Sequence, residues 1–199
     1  MTRRFRILHS LCVAVLPALS LAGCSQPTGL LNVATSPAED RSMASLSSDA
    51  QIALDINERL LGAQYRDLFF EISTDVYEGR VLLTGTVRAA ASKDRATELV
   101  RSVNSVTRVI NELQVTDDYN TGIAANDLWI ETKLKAQLVA ARDVRSINYR
   151  WRAVRGTVYL IGAARSQAEL DRVVEIVRAT ERVRRVVSHA WVRSAQPQG

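Results

Sequence analysis

Alternating hydrophobic and polar positions mark a short segment that occurs twice along the chain. The first copy covers residues 79–87 and the second covers residues 156–164, so both of their glycines are displaced by the same 77 positions (156 minus 79, and 162 minus 85). A constant displacement indicates an internal repeat. In each copy a valine and a leucine share one face of an alternating strand that glycines bound. We therefore predict that each copy is the returning strand of a hairpin, and that the chain contains two similar domains.

The first domain is predicted at residues 49–115 from further periodic segments. Asp49 is a candidate N-cap for a helix whose hydrophobic residues recur at helical spacing. Residues 70–76 alternate as a strand, residues 89–103 form a second amphipathic helix, and residues 106–115 alternate again. The predicted order is α-β-β-α-β. In an α+β domain of this order, both helices pack on one face of a three-stranded sheet.

The same order is predicted for residues 126–192, after a short linker at residues 116–125. Asp127 is the corresponding N-cap candidate of the first helix. Ser166 and Glu169 form a capping box for the later helix. We therefore expect two tandem domains with one α+β fold.

The N-terminal segment, residues 1–23, resembles the signal peptide of a bacterial lipoprotein. Three arginines precede an apolar run that is shorter than the ~20 residues that a membrane-spanning helix needs. The run ends in Leu-Ala-Gly directly before Cys24, which is similar to a lipobox. This resemblance implies that Cys24 is acylated, with palmitate among its acyl chains, and becomes the mature N-terminus. Export by the general secretory route and export by the twin-arginine route both remain open.

Residues 24–48 are predicted to be a flexible tether, because Ser, Ala, Pro and Thr dominate them without sustained periodicity. Two or more acyl chains on Cys24 give stable membrane attachment. A residue other than Asp after the cysteine, here Ser25, implies sorting to the outer membrane by the enterobacterial rule. The expected location is therefore the periplasmic face of the outer membrane. Residues 193–199 are expected to be a C-terminal tail.

The repeated motifs resemble the BON domain. The resemblance rests on the Gly-x-Val-x-Leu-x-Gly core of the first copy and on a closing Val-x-x-Val-x-Asn-x-Leu-x-Val at residues 106–115. The second copy has Ser188 where this pattern has asparagine. Two copies behind a lipobox are similar to the dual BON-domain lipoproteins. That family implies phospholipid binding and a role in envelope integrity and stress response, without catalysis.

The inventory of reactive side chains argues against an enzyme. Without the signal peptide the chain keeps one histidine, His189, and its cysteine, Cys24, is expected to carry lipid. A Cys-His nucleophile or a multi-histidine metal site therefore cannot be assembled. The sequence predicts no catalytic residue, no metal site, no cofactor and no small-molecule substrate.

The basic character of the chain belongs to the second domain. The whole chain has a formal net charge of +5, but residues 49–115 hold 8 Lys/Arg against 10 Asp/Glu, whereas residues 126–192 hold 13 against 7. The abundant anionic partners of an exported protein are lipid headgroups and acidic polymers, so a membrane surface is favoured over nucleic acid. An exported nucleic-acid binder is supported by charge alone.

The predicted phospholipid site is on the first helix of the second domain. The core residues of this helix leave Trp129 about 100° around the helix axis, on a face shared with Lys133. A tryptophan beside lysines is typical of a membrane interface, so Trp129, Lys133 and Lys135 are the candidate lipid-binding residues. The alternative is that Trp129 packs under the linker or against the first domain.

A second candidate surface is the face of the second sheet that lies opposite its helices. Strand alternation places on this face a mixture of basic, aromatic and apolar residues, including Arg150, Arg152, Tyr159, His189 and Trp191. Such a mixture on an uncovered face indicates a partner surface. Docking of one domain on the other and docking of an external protein are both compatible with it.

We therefore expect a non-enzymatic, lipid-anchored periplasmic protein that binds anionic phospholipid at a membrane surface and supports the integrity of the outer membrane. Each basic side chain contributes roughly 1 kcal/mol to such a contact, and a tether makes weak contacts sufficient by raising the effective concentration. The alternative is a protein scaffold or adaptor for an envelope complex, in which lipid has no direct part.

Overall fold

The computed structural model describes residues 41–60, 72–118 and 120–194. The expected signal peptide at residues 1–23, the lipidation site Cys24 and most of the expected tether lie outside these ranges. None of the helices within the ranges combines the length and the hydrophobicity that crossing a membrane requires.

The first repeat has the predicted α-β-β-α-β order. Its elements are α1 (Met43–Leu60), β1 (Ile72–Tyr77), β2 (Arg80–Val87), α2 (Ala90–Arg101), β3 (Arg108–Asn111) and β4 (Gln114–Val115). The central strand β2 pairs antiparallel with β1 and parallel with both β3 and β4. The last two strands are therefore halves of one interrupted edge strand, and the sheet is three strands wide.

The second repeat has the same order. Its elements are α3 (Thr121–Ala140), a short 3₁₀ helix (Ser146–Asn148), β5 (Tyr149–Val154), β6 (Thr157–Ala164), α4 (Gln167–Ala179), β7 (Arg185–Ser188) and β8 (Trp191–Val192). Strand β6 pairs antiparallel with β5 and parallel with β7 and β8. The predicted fold class is thus confirmed: two tandem α+β domains, each with two helices on one face of its sheet.

The edge strand of the first repeat is interrupted just after Asn111, the asparagine of the closing motif. Its side-chain amide donates to the carbonyl of Lys93 at 2.8 Å and to the hydroxyl of Thr97 at 2.6 Å, both on α2. Its Oδ1 accepts from the N–H of Leu113 at 3.0 Å. These bonds tie the edge strand to α2. In the second repeat the Ser188 hydroxyl accepts a long 3.4 Å contact from the N–H of Ala190.

Each repeat buries a hydrophobic core between its two helices and one face of its sheet. The buried residues recur at helical spacing in the helices and at every second position in the central strand. The first core comprises Ile52, Ile56, Leu60, Val76, Val81, Leu83, Val87, Ala96, Val100, Val103 and Leu113. The second comprises Ile130, Leu134, Leu138, Val144, Tyr149, Ala153, Val158, Leu160, Ala164, Val173 and Val177. The opposite face of each sheet is left for a different contact.

The predicted N-cap role of Asp49 and Asp127 is wrong. Helices α1 and α3 both begin earlier in the chain, so each aspartate lies inside its helix. Asn120 is the N-cap of α3, and its side chain accepts from the N–H of Gly122 at 2.8 Å. Helix α3 therefore includes the second half of the segment that the sequence assigned to the linker.

Each of these aspartates instead accepts two hydrogen bonds from the hairpin turn of its own repeat. Both turn residues have positive φ, as in the type I′ turns that suit hairpins, and their N–H groups meet one carboxylate. We call this the helix–turn contact. It joins Asp49 to the N–H groups of Glu78 and Gly79 (2.7 and 2.8 Å), and Asp127 to those of Arg155 and Gly156 (2.6 and 2.8 Å). A helix is thereby fixed to a turn that lies about thirty residues further along.

Loss of the helix–turn contact should destabilise the second repeat. In an Asp127→Ala variant two N–H groups of the turn lose their acceptor, and each unsatisfied group costs about 1–3 kcal/mol. We expect the free energy of unfolding, measured in urea, to fall by about 2 kcal/mol or more. Asp127→Asn keeps one side-chain oxygen and should lose less.

The control is Asp143→Ala, because Asp143 lies in an exposed ion pair with Arg172. An exposed pair of this kind contributes about 0–1 kcal/mol. Equal losses for Asp127→Ala and Asp143→Ala would contradict the assignment.

Candidate functional site

The sheet faces that point away from the helices pack against each other. Side chains alternate between the two faces of a strand, so the residues between the core positions point away from the helices. They form a second buried layer between the two sheets. We call it the sheet–sheet interface. It comprises Tyr77, Leu82, Ile110, Tyr159, Ile161 and Ala163, flanked by Val154, Val187 and Trp191. The buried face of one repeat is thus covered by the other repeat of the same chain.

Two aromatic residues predicted for this face, Tyr159 and Trp191, lie within the sheet–sheet interface. The side-chain amide of Gln114, in the first repeat, donates to the hydroxyl of Tyr159 at 3.1 Å. The Trp191 ring meets the Tyr77 ring edge-to-face at 5.5 Å between centroids, and the guanidinium of Arg80 lies 3.9 Å from the Trp191 ring centroid. Both aromatic residues therefore contact the first repeat.

The basic residues predicted for this face also lie towards the first repeat. Arg152 Nε is 3.2 Å from Asp75 Oδ2, and His189 Nε2 is 2.9 Å from Glu112 Oε1. Arg150 lies at the margin, where its guanidinium is 6.0 Å from the ring centroid of an interface tyrosine. Of the two interpretations of this face, the contacts favour docking between the domains.

The carboxylate of Asp75 depends on a cation that belongs to the other repeat. Its side chain is 10% exposed. Burial raises the pKa of Asp75 above its ordinary value, and the adjacent Arg152 guanidinium offsets part of that rise. Arg152 also lies 3.7 Å from Glu131 Oε2 on α3. Arg152 therefore forms ion pairs with two carboxylates, one from each repeat.

Arg41, which the sequence assigned to the tether, lies against the first repeat. Its side chain is 4% exposed and forms an ion pair with Asp49. Its guanidinium lies 4.4 Å from the centroid of the Tyr77 ring, a geometry typical of cation–π contacts. The first described residue of the chain is thus attached to the folded body. No periodic pattern could have identified a single arginine in a polar segment.

The predicted lipid-binding residues lie on α3, and Trp129 is half-buried there. Its ring packs against the core of the second repeat. The guanidinium of Arg182 lies 4.3 Å from the ring centroid. Arg182 is in the turn after α4, where its φ angle is 68°. The described partners of Trp129 therefore belong to the second repeat itself, and the arginine adds a positive charge beside the ring.

Lys133 and Lys135 are exposed on α3, and two large hydrophobic side chains are exposed near them. Leu128 is 65% exposed and Val139 is 66% exposed. Leu128, Lys135 and Val139 are separated by seven and four residues, a spacing that aligns them along one side of a helix. We call these three residues the outer stripe of α3. Leu128 and Val139 were not predicted as site residues, although this spacing is visible in the sequence.

A cleft of about 500 Å³ borders the N-terminal half of α3. Its lining includes Leu128 and Glu131 from the second repeat and Ser73 from the first. At its rim Arg155 and Asp118 form an ion pair at 2.9 Å. Within the part of the chain that the structure describes, no cluster of metal-ligating side chains occurs in this cleft or elsewhere.

Two α-β-β-α-β repeats that cover each other's sheets define a protein built from a duplicated small α+β domain. The model of the BON domain family matches residues 48–117 and 126–194, which are these two repeats. The chain belongs to the BON domain family.

Relatives of this chain are found among known bacterial proteins. An "uncharacterized protein in gshII 5'region" of Anaplasma centrale is 35% identical over 149 residues, which are 74% of this chain and 97% of that protein. The outer membrane lipoprotein DolP of Haemophilus influenzae is 30% identical over 111 residues, 56% of this chain and 57% of DolP. The osmotically-inducible protein Y of Escherichia coli is 30% identical over 118 residues, 58% of this chain and 59% of that protein. The chain therefore spans more than half the length of each of these relatives.

Removal of Arg152 should destabilise the protein more at neutral than at acidic pH. Without the Arg152 guanidinium, burial is offset only by the charge of Arg150, so the pKa of the Asp75 carboxyl rises further above its ordinary value. A raised folded-state pKa gives stability that is present below the unfolded-state pKa and is lost as the pH rises through the folded-state pKa. In urea titrations, the loss caused by Arg152→Gln should be larger near pH 7 than near pH 4.

The double variant Asp75→Asn/Arg152→Gln is the control, because it keeps Glu131 and lacks the Asp75 carboxyl. The additional loss at neutral pH should be absent from it. If Arg152→Gln alone costs the same at both pH values, Asp75 does not depend on this cation.

Proposed function

We propose that this protein is a non-enzymatic, lipid-anchored envelope protein whose second BON domain binds anionic phospholipid at the periplasmic face of the outer membrane and supports envelope integrity. The observation that carries the proposal is the outer stripe of α3. It presents two hydrophobic side chains that are about two-thirds exposed, with a lysine between them. A helix with apolar and cationic side chains on its solvent side is suited to lie in a membrane interface.

The charges around the outer stripe support an anionic partner. Lys133 and Lys135 are exposed on the same helix, and Arg182 lies over the half-buried Trp129. In this proposal Trp129 holds Arg182 near the headgroups and the lysines meet lipid phosphate, while Leu128 and Val139 enter the acyl boundary. Each basic residue near an anionic surface contributes roughly 1 kcal/mol, and full burial of a leucine contributes roughly 1.5–3 kcal/mol.

Attachment through Cys24 makes such a weak contact sufficient. The lipobox-like sequence supports an acyl anchor before the tether, and a tether raises the effective concentration of the domain at the membrane. The names of two relatives agree with this setting, since one is an outer membrane lipoprotein and the other is osmotically inducible. We extend from them an envelope location and a stress-related role to this chain.

The alternative, a protein scaffold that uses the sheet face of the second repeat, has less support. Tyr159 and Trp191, the aromatic residues on which it would rely, contact the first repeat. A scaffold role would have to use the helices or the cleft beside α3. The outer stripe is better suited to lipid because lysine is depleted from the cores of protein interfaces.

Substitution of Leu128 in the outer stripe should weaken binding to anionic vesicles. We suggest flotation of the chain from residue 24 onward, with Cys24→Ser so that no acyl chain holds it, on vesicles of anionic or neutral phospholipid. Leu128→Asp should lower the bound fraction on anionic vesicles about tenfold, because roughly 1.5 kcal/mol of burial is lost and a like charge is added. Trp129→Ala with Lys133→Glu and Lys135→Glu should lower it as well, and high salt should weaken wild-type binding.

Leu54→Asp is the matched control, because Leu54 is 64% exposed on α1 of the first repeat. It should bind as the wild type does. Equal binding of Leu128→Asp and wild type would show that the outer stripe is not the lipid site. Absence of wild-type binding to both kinds of vesicle would overturn the proposed function in favour of a protein partner.

A further inference from the structure

Two polar contacts of the sheet–sheet interface join equivalent positions of the repeats. Asp75 faces Arg152, and Glu112 faces His189, and in both pairs the residues are 77 positions apart. This separation equals the displacement of the repeated glycines (156 minus 79). Each of these positions therefore meets its own counterpart in the other repeat.

We call two equivalent positions that meet in this way a self-facing pair. Such pairs indicate that the two repeats are related by an approximate two-fold axis. In a two-fold interface every contact between unlike positions occurs twice, and equivalent positions meet only beside the axis. Tyr77 contacts Trp191, and the counterparts of these residues, Val154 and Gln114, also meet, since the Gln114 amide donates to the Val154 carbonyl at 3.2 Å. The interface is thus an internal version of a homodimer interface.

The side chains at the self-facing positions have diverged in charge. The first repeat has two carboxylates there, Asp75 and Glu112, whereas the second has Arg152 and His189. Pairing of two first repeats would bring Asp75 against Asp75 and Glu112 against Glu112. Pairing of two second repeats would bring two arginines and two histidines together. Only the pairing of unlike repeats gives each carboxylate a basic partner.

Partial burial makes this arrangement selective. The side chains of Asp75 and Arg152 are 10% and 41% exposed, and those of Glu112 and His189 are 29% and 25% exposed. Like charges repel more strongly where water is displaced, and a buried carboxylate without a cation is strongly unfavourable. A partly buried ion pair adds little net stability over apolar packing, but it penalises the wrong partner.

We propose that the sheet face of each BON domain is a pairing surface whose partner is chosen by the two self-facing positions. It accepts the unlike repeat and rejects a copy of itself. The chain therefore closes on its own two repeats. Neighbouring copies do not join through like repeats, even where membrane attachment crowds them together. Asp75, Glu112, Arg152 and His189 are the specificity-determining residues of this surface.

Fluorine NMR of 5-fluorotryptophan-labelled chains tests the proposal directly. Trp191 lies in the sheet–sheet interface, whereas Trp129 and Trp151 pack against the core of the second repeat. The resonance of Trp191 therefore reports docking, and the other two resonances report the fold of the second repeat. The full mature chain with Cys24→Ser is used. All variants carry Glu131→Gln, because Glu131 also contacts Arg152 and glutamine keeps the oxygen that accepts from the Ala153 N–H.

Asp75→Arg places two arginines beside the axis. We expect it to shift the Trp191 resonance away from its wild-type position while the other two resonances stay in place. The charge swap Asp75→Arg/Arg152→Asp restores complementarity and should return Trp191 to its original position.

His189→Glu, which places two carboxylates opposite each other, should act as Asp75→Arg does, and Glu112→Lys/His189→Glu should restore docking. The control Arg172→Glu lies in an exposed pair within α4 and should change none of the three resonances.

An unchanged Trp191 resonance in both Asp75→Arg and His189→Glu would overturn the proposal. Failure of both swaps to restore it, with Trp129 and Trp151 at their native positions, would overturn it as well. If a single charge reversal unfolds the chain, the double charge swap at the same pair decides. Recovery of all three resonances in the swap supports charge-based choice of partner, and no recovery contradicts it.

Discussion

A small sheet with both helices on one side leaves its second face uncovered, and that hydrophobic face has to be buried. The arrangement of the two repeats in this structure follows from this constraint. Here the two sheets cover each other through Tyr77, Leu82, Tyr159 and Ile161, all of which are buried. The hydrophobic driving force for joining the repeats lies in this layer. Because the sheets meet in the middle, the helices of both repeats pack on the outer sides. The surface of α3 that we propose for membrane contact therefore lies away from the sheet–sheet interface, and the polar positions beside the two-fold axis decide which sheets can meet.

The helix–turn contact fixes the first helix of each repeat to the hairpin turn of the sheet that it packs on. Asp127 binds two N–H groups of the hairpin turn, so the orientation of α3 is set by the sheet that it packs on. The sequence predicted the repeat, the order of the elements and the core stripes, because hydrophobic periodicity carries that information. It assigned the wrong role to Asp49 and Asp127, because an aspartate before a hydrophobic helical pattern is typical of an N-cap. The donors that these carboxylates use lie about thirty residues away, and only the folded chain brings them together.

The candidate lipid site was predictable in part for the same reason. Helical geometry placed Lys133 on a face away from the core, and the structure has both Lys133 and Lys135 exposed. Leu128 and Val139 were missed because the buried residues of α3 already accounted for its hydrophobic pattern. The position of Arg182 over Trp129 depends on a turn with a left-handed residue after α4, which no local pattern specifies. The sequence already has opposite charges at the equivalent positions Asp75 and Arg152. Their contact could not be predicted, because it depends on the packing of the two sheets against each other.

The most direct measurement is paramagnetic relaxation enhancement of the isotope-labelled chain on nanodiscs that contain anionic phospholipid with a gadolinium-chelating headgroup. The proposed mode of binding predicts strong broadening of the amide resonances from Leu128 to Val139 and of Arg182, with little broadening in the first repeat. Broadening centred on α1 or α2, or no broadening at any amide of the second repeat, would contradict the assignment of membrane contact to α3.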